Sequence, residues 1–302
     1  MSILGLKKHH LHLLSVQLEC LDIERKHVAR ATGFIVRRKG RLFLHTCWHV
    51  VTGIEGWQPL VFSRATWSKQ RRYLAILAQD VKPMMSDQGI PIGQTIGGRQ
   101  ELELSLYDEK GVPMWWQDKR HVPHEDLNAI HIRVPCWHDA VAFPLPETFA
   151  MSNLQVFDDS HLFAHTKPIG PSTFQGRSYG PGDRVFVVGY PYGFSTAGVK
   201  QPAALVLVRN VASTNFRREG LLGREVLLDG PCARGMSGSP VLVDTDDGLQ
   251  LFGIYTSSIF PDNPGGNANR ATALGVVTEL TQSWGAVPLV GPSEVGSESW
   301  PE

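Results

Sequence analysis

The stretch Gly235-Met236-Ser237-Gly238-Ser239-Pro240 decides which fold the chain is predicted to adopt. It places a serine between two glycines and leads into Val241-Leu242-Val243, an apolar run typical of the start of a buried strand. Glycines permit backbone conformations that a Cβ would forbid. Such a turn can expose the Ser237 hydroxyl and direct neighbouring backbone N–H groups to one point, as an oxyanion hole requires. An ordinary Gly/Ser turn between strands fits the same six residues, so the choice depends on whether a base and an acid lie upstream.

A histidine and an aspartate upstream are candidates for these two groups. His49 follows a strand predicted over residues 41–46, and Asp139 opens a later apolar segment. Catalysis by a serine needs a base that takes the hydroxyl proton and an acid that holds the base in one tautomer. The order His, Asp, Ser differs from that of subtilisin and of the α/β-hydrolases, and no histidine follows the serine turn. Asp126 is a rival for the role of the acid, and each residue taken singly also fits a structural role.

Six short motifs follow one another along the chain. In order they are Ala31-Thr32-Gly33-Phe34-Ile35, Thr46-Cys47-Trp48-His49-Val50, Asp139 to Leu145, Pro181 to Pro191, Gly235 to Pro240, and Phe252-Gly253-Ile254-Tyr255-Thr256. Together they resemble the motifs of the chymotrypsin-like (trypsin-like) serine proteases, and their style is closest to the bacterial HtrA-like branch. Val141 departs from the alanine of that family's acid motif, and Val50 replaces the cysteine that follows the histidine in secreted relatives.

The resemblance implies an all-β protein with two antiparallel six-stranded β-barrels and an active site in the cleft between them. The first barrel is expected over residues 15–150 and the second over 175–285. His49 and Asp139 lie farther apart in sequence than compact members of the family need, which predicts an insertion at residues 64–125. Residues 286–302, rich in Pro, Gly, Ser and Glu, are predicted to form a flexible tail.

The resemblance also implies a role for each site residue. His49 is expected to act as general base and then acid, Asp139 to orient it, and Ser237 to attack the scissile carbonyl. Backbone N–H groups of Gly235 and of the nucleophile are expected to form the oxyanion hole. No metal or organic cofactor is expected. The candidate contacts to substrate are Arg234, Tyr255, Thr256 and Ser257.

The implied function is that of a serine endopeptidase, which hydrolyses peptide bonds of specific intracellular protein partners through an acyl-enzyme intermediate. The alternative is a catalytically silent protease-fold scaffold that binds partner peptides. If a regulatory protein binds, the insertion at 64–125 is its expected surface. Residues 230–233 carry no acid, which predicts a small or medium apolar side chain before the scissile bond. If the Asp229 carboxylate instead lay in the specificity pocket, the preferred side chain would be Lys or Arg. Met236 stands where secreted relatives carry an aspartate that pairs with a new N-terminus, so no N-terminal processing is expected.

Composition narrows the class of protein. The 302 residues carry zero formal net charge and are 42% hydrophobic, which gives no basis for a nucleic-acid partner and allows a sizeable core. The basic residues at 69–72 are interpreted as a solvated face. Thirty glycines and twenty prolines favour a turn-rich β fold. No apolar run approaches the length of a membrane span, and no signal peptide is recognised. Four cysteines without a CxxC spacing favour reduced thiols and a cytoplasmic location.

Overall fold

The structure is a computed structural model, and its strands confirm the predicted all-β class. It describes residues 8–38, 40–53, 71–123, 133–146, 149, 156–158, 161, 179–193, 204–216, 225–245, 248–260 and 273–279. The rival acid Asp126 and the predicted tail at 286–302 lie outside these ranges. No helix in the described ranges is long and apolar enough to cross a membrane.

Fourteen strands and one short α-helix make up the described fold. The strands are β1 (Val16–Leu21), β2 (His27–Arg38), β3 (Arg41–Thr46), β4 (Tyr73–Met85), β5 (Pro91–Ser105), β6 (Trp116–Pro123), β7 (Arg133–Pro144), β8 (Phe157–Asp158), β9 (Arg184–Gly189), β10 (Leu205–Phe216), β11 (Glu225–Leu228), β12 (Pro240–Thr245), β13 (Gly248–Ile259) and β14 (Leu274–Glu279). The helix is α1 (Trp48–Thr52). Short 3₁₀ turns cover Lys8–Leu13 and Pro191–Gly193.

The C-terminal half forms the closed six-stranded barrel that the motifs predicted. Its strand order is β10-β11-β14-β13-β12-β9. Alternate residues of these strands point inward, because successive side chains of a strand face opposite sides of the sheet. Val185 and Val187 of β9, and Val241 and Val243 of β12, show this alternation, and all four side chains are buried.

The N-terminal half forms a curled sheet of eight strands, where six were expected. Its order is β5-β4-β1-β2-β3-β7-β6, with β8 paired to β2. Among the described residues no strand pairing closes this sheet into a barrel. The segment predicted as an insertion, 64–125, supplies three of the strands. β4 pairs with β1 over Tyr73–Leu77, and β6 pairs with β7, so much of the segment belongs to the sheet. These strands explain why His49 and Asp139 lie far apart in the sequence.

One apolar cluster continues from the first sheet into the second barrel. Leu18, Phe34 and Trp48 belong to it on one side, and Val188 and Ile254 belong to it on the other. Burial of this shared apolar surface holds the two halves together. The candidate site residues lie where the two halves meet.

Candidate active site

Ser237 lies on a tight turn between β11 and β12. The turn is closed by two backbone hydrogen bonds, from Met236 N–H to the Ala233 carbonyl (3.2 Å) and from Ser239 N–H to the Met236 carbonyl (2.9 Å). The flanking glycines adopt left-handed conformations, with φ of 91° at Gly235 and 89° at Gly238. A residue with a Cβ is strained in that region, so the two glycines are what the turn requires.

The backbone N–H groups of Gly235 and Ser237, the pair predicted to form an oxyanion hole, have no acceptor within the described part of the chain. The Arg234 carbonyl accepts a hydrogen bond from Tyr192 N–H at 2.5 Å. Because N–H and C=O of a trans peptide point in opposite directions, this bond turns the Gly235 N–H away from Tyr192. Such free and fixed donors are what stabilisation of a developing oxyanion needs.

His49 and Asp139 meet through two contacts. The Asp139 carboxylate accepts a hydrogen bond from His49 N–H (3.0 Å) through Oδ1, and its Oδ2 lies 2.7 Å from His49 Nδ1. β3 and β7 pair with Thr46 opposite Val141, so Asp139 falls just beyond the end of β3, where α1 begins. A carboxylate at Nδ1 fixes the ring orientation and leaves Nε2 for proton transfer.

The hydroxyl of Ser237 points to a carbonyl of β13. Ser237 Oγ donates to Thr256 O at 3.2 Å, and no hydrogen bond joins Ser237 to His49 among the described residues. A rotation about χ1 of the serine would redirect its hydroxyl between staggered positions. Hydrogen bonds between nucleophile and base are often long until substrate binds.

Thr32 of β2 joins the serine turn to the first sheet. Its N–H donates to Ser237 O (3.0 Å) and its hydroxyl donates to Gly235 O (2.8 Å). Its own carbonyl accepts the Thr46 hydroxyl at 2.9 Å, at the end of the strand that leads to His49. Thr32 therefore links the turn that carries Ser237 to the strand that leads to His49. The motif that contains Thr32 carries no sequence signal of this role.

Arg71 is a second residue whose place the sequence did not reveal. It was expected on a solvated face, but it is half-buried, and its Nη1 donates to the carbonyls of His49 (3.1 Å) and Val50. These carbonyls lie in the short helix α1, whose end at Gly53 has φ of 75°. The Gly53 N–H already donates to the His49 carbonyl (3.0 Å), and the Arg71 cation adds a favourable charge at this helix C-terminus. The expectation was wrong because a basic side chain carries no sequence signal of a distant carbonyl.

Comparison with known proteins finds a similar fold among solved structures. No protein-family model matches the chain, and no curated protein matches it. One similar solved structure is the crystal structure of Rv3671c protease in its inactive form. It is 13% identical in sequence, with a TM-score of 0.42 over 90% of this chain and 85% of that chain. The likeness is to the overall fold.

The four candidate substrate contacts lie at different depths. Arg234 is exposed, and Ser257 is half-buried. Thr256 is buried, and its hydroxyl donates to Val276 O at 3.2 Å, so only its carbonyl faces Ser237. Tyr255 is also buried, and burial raises the pKa of its phenol, which therefore stays neutral.

The carboxylate nearest to Cys232 in the sequence, that of Asp229, is hydrogen-bonded to another strand. Asp229 accepts hydrogen bonds from the backbone N–H (3.0 Å) and the side-chain amide (2.7 Å) of Asn210, on the exposed side of β10. Burial raises the pKa of the Cys232 thiol to about 12, so that thiol stays protonated at neutral pH. This part of the site therefore presents no negative charge among its described residues.

One group of side chains has the composition of a metal site. Donor atoms of Cys47, His49 and Asp139 lie within 4.8 Å of one another. Zinc would require the thiolate form of the cysteine. Burial raises the pKa of the Cys47 thiol well above its usual value, and its Sγ donates to Tyr255 O at 3.3 Å. The chemistry of these three residues fits an Asp–His pair beside a protonated thiol better than it fits a metal centre.

Proposed function

We propose that the chain is a serine endopeptidase that acts through His49, Asp139 and Ser237. The observation that carries the proposal is the two-point contact of Asp139 with His49, formed next to a serine turn that offers two N–H donors without an acceptor in the described residues. An oriented base, a nucleophile on a tight turn and fixed donors are the parts that acyl transfer needs.

The proposed reaction has two stages. Ser237 Oγ attacks the scissile carbonyl carbon while its proton passes to His49 Nε2, and the oxyanion is held by the N–H groups of Gly235 and Ser237. The C–N bond then breaks, and the leaving amine takes the proton from His49. Water next attacks the acyl-enzyme, giving its proton to His49, and the acid product leaves as the serine hydroxyl is restored. Asp139 stabilises the imidazolium in both stages.

Specific protein partners in the cytoplasm are the proposed substrates. The described thiols of Cys20, Cys47 and Cys232 are buried and unpaired, which fits a reduced compartment. We propose the hairpin of β4 and β5, within residues 64–125, as the surface for a regulatory protein. At its tip the apolar side chains of Met84, Met85, Ile90 and Ile92 are exposed.

A peptide-binding scaffold without catalysis is the second candidate function. One observation favours it: the Ser237 hydroxyl bonds to the Thr256 carbonyl rather than to the imidazole. In such a scaffold the same cleft would hold a peptide whose bonds stay intact.

Covalent labelling separates the two functions. A fluorophosphonate probe should label the wild-type protein at Ser237, and Ser237→Ala should abolish labelling. Ser239→Ala is the matched control, because Ser239 lies two residues away but is fully buried, and it should label normally. A protein that binds peptides yet is never labelled would support the scaffold.

Substitution of the proposed base and acid tests the mechanism. His49→Ala and Asp139→Asn should each lower the rate of ester hydrolysis on the order of 10⁴-fold, because the three groups act as a unit. Asp126→Asn should leave this rate unchanged. An inactive Asp126→Asn beside an active Asp139→Asn would assign the acid to Asp126.

A further inference from the structure

The segment Tyr255–Ser258 runs directly beside the nucleophile. Tyr255 N–H donates to Ser239 O (2.9 Å), and Gly238 N–H donates to Tyr255 O (2.8 Å), so β13 is bonded to the two residues that directly follow Ser237. The next carbonyl, of Thr256, accepts the Ser237 hydroxyl at 3.2 Å. A substrate carbonyl in contact with Ser237 must therefore lie next to this segment.

The Tyr255 side chain crosses from β13 to the segment that leads into the serine turn. Its hydroxyl accepts a hydrogen bond from Cys232 N–H at 2.9 Å and lies 2.6 Å from Ser258 Oγ. Cys232 precedes the nucleophile by five residues, whereas Ser258 lies on β13, the strand that carries Tyr255 itself. One phenol oxygen thus ties together the two stretches of chain that flank Ser237.

The ring of Tyr255 fills the space between these stretches. A Cβ placed on Gly275 of β14 would lie 3.1 Å from Tyr255 Cε2 and 2.8 Å from Gly230 O, so ring, strand and segment are in close contact. Tyr255 is only 2% exposed. No room remains for a second large side chain, because protein interiors are packed to the density of organic crystals.

Substrate geometry directs one side chain to this space. When the scissile carbonyl oxygen is held by the N–H groups of Gly235 and Ser237, the preceding Cα is one bond from the carbonyl carbon. Because Ser237 contacts the strand Tyr255–Ser258 and follows the segment around Cys232, these two stretches are the described chain nearest to that side chain. These are the walls that Tyr255 bridges.

We propose that Tyr255 closes the specificity pocket, so that the protein cleaves after residues with the smallest side chains: Gly, Ala or Ser. This inference rests on the proposed endopeptidase function and narrows the earlier expectation of small or medium apolar side chains. Selectivity against charge follows from the same geometry. The Asp229 carboxylate is bonded to Asn210, and the Arg209 guanidinium donates to Pro231 O at 2.9 Å, so no described acid faces a Lys or Arg side chain.

The test uses peptides that are identical except for Gly, Ala, Leu, Phe or Arg before the scissile bond. The wild-type protein should cleave the Gly and Ala peptides with a kcat/KM at least about tenfold above the others, since even one excess methylene changes the rate by roughly 10–200-fold. Tyr255→Ala should raise kcat/KM for the Leu or Phe peptide at least about tenfold relative to the Ala peptide. Tyr107→Phe is the control, because it alters a buried tyrosine of the N-terminal half and should keep the wild-type profile.

Two further measurements separate failure of this inference from failure of the proposed function. A nitrophenyl acetate ester has no side chain at the position in question, so its hydrolysis and the fluorophosphonate labelling report catalysis alone. Wild-type protein that lacks both activities would refute the proposed function and this inference with it. Protein that hydrolyses the ester but cleaves after Leu, Phe or Arg as fast as after Ala would overturn only the role of Tyr255. The wild-type profile decides this even if Tyr255→Ala does not fold.

Discussion

Replacement of Gly238 by alanine tests the contact between the serine turn and the first sheet. A Cβ at this position would lie 2.0 Å from the Thr32 carbonyl oxygen and 2.4 Å from the Thr46 hydroxyl, and φ is +89°. Because the nearer atom is backbone, it cannot rotate aside, and β2 must move away from the turn. That movement breaks the bonds from Thr32 N–H to Ser237 O (3.0 Å) and from Thr46 Oγ1 to Thr32 O (2.9 Å).

The magnitude follows from three contributions. Left-handed backbone costs an alanine about 1–2 kcal/mol, each lost hydrogen bond costs about 0.5–1.5 kcal/mol, and displaced packing costs about 1–3 kcal/mol. Gly238→Ala should therefore lower the free energy of unfolding by about 3–8 kcal/mol, a large part of the total for a typical domain. Ester hydrolysis should be lost as well, since the movement displaces Ser237.

Gly182→Ala is the matched control for backbone strain. Gly182 lies in the same half of the protein with φ of +95°, but nothing lies within 4 Å of an added Cβ. The control should lose only about 1–2 kcal/mol and keep its activity. Urea unfolding, followed by the fluorescence of the buried Trp48 and Trp115, measures both variants at constant m. Equal losses of stability in the two variants would refute the proposed contact.

Three further predictions concern the base, acid stability and activation. Arg71→Lys should lower kcat by about 10- to 100-fold with little change in KM, because the N–H groups of Nη1 point to the two carbonyls in fixed directions, whereas a lysine ammonium rotates on a flexible stem. Arg72→Lys is the control and should leave kcat unchanged; equal effects of the two substitutions would contradict the role of Arg71. Burial lowers the pKa of His45 well below its ordinary value of 6.5, so below pH 6.5 the unfolded chain binds a proton that the folded chain does not. The free energy of unfolding should therefore fall on acidification by up to about 1.4 kcal/mol per pH unit. His45→Gln should flatten this slope in urea unfolding, and an unchanged slope would exclude His45 as its source. An uncleavable N-terminal fusion should be as active as the native chain, because Met236 offers no anion to a new N-terminus, and activity that appears only after trimming would show the opposite.

Local features of the fold followed from the sequence. The glycines at 235 and 238 predicted a tight turn, and both adopt positive φ. Leu102, Leu104 and Leu106 alternate in sequence with Glu101, Glu103 and Ser105, and the leucines are less exposed than these polar neighbours. The apolar runs of β9 and β12 form two neighbouring strands of the closed barrel, and both contribute side chains to its core. Backbone preference and hydrophobic periodicity depend on neighbours a few residues away, so the sequence carries them directly.

Contacts between distant residues were decided by the tertiary structure. The sequence offered both Asp126 and Asp139 as the acid, and the register of β3 against β7 brings Asp139 to His49. Arg71 was expected in solvent, but its side chain is hydrogen-bonded to the helix that carries His49.

The sequence offered Tyr255 as a candidate contact to substrate but did not indicate where its side chain lies. In the structure its hydroxyl binds the segment around Cys232, which packs against β13. The order of the motifs predicted the all-β fold with its barrels and the residues worth examining. Which side chains meet depends on strand register and on the packing of the two halves, because a shift of one residue in register would turn each strand's side chains to the opposite face.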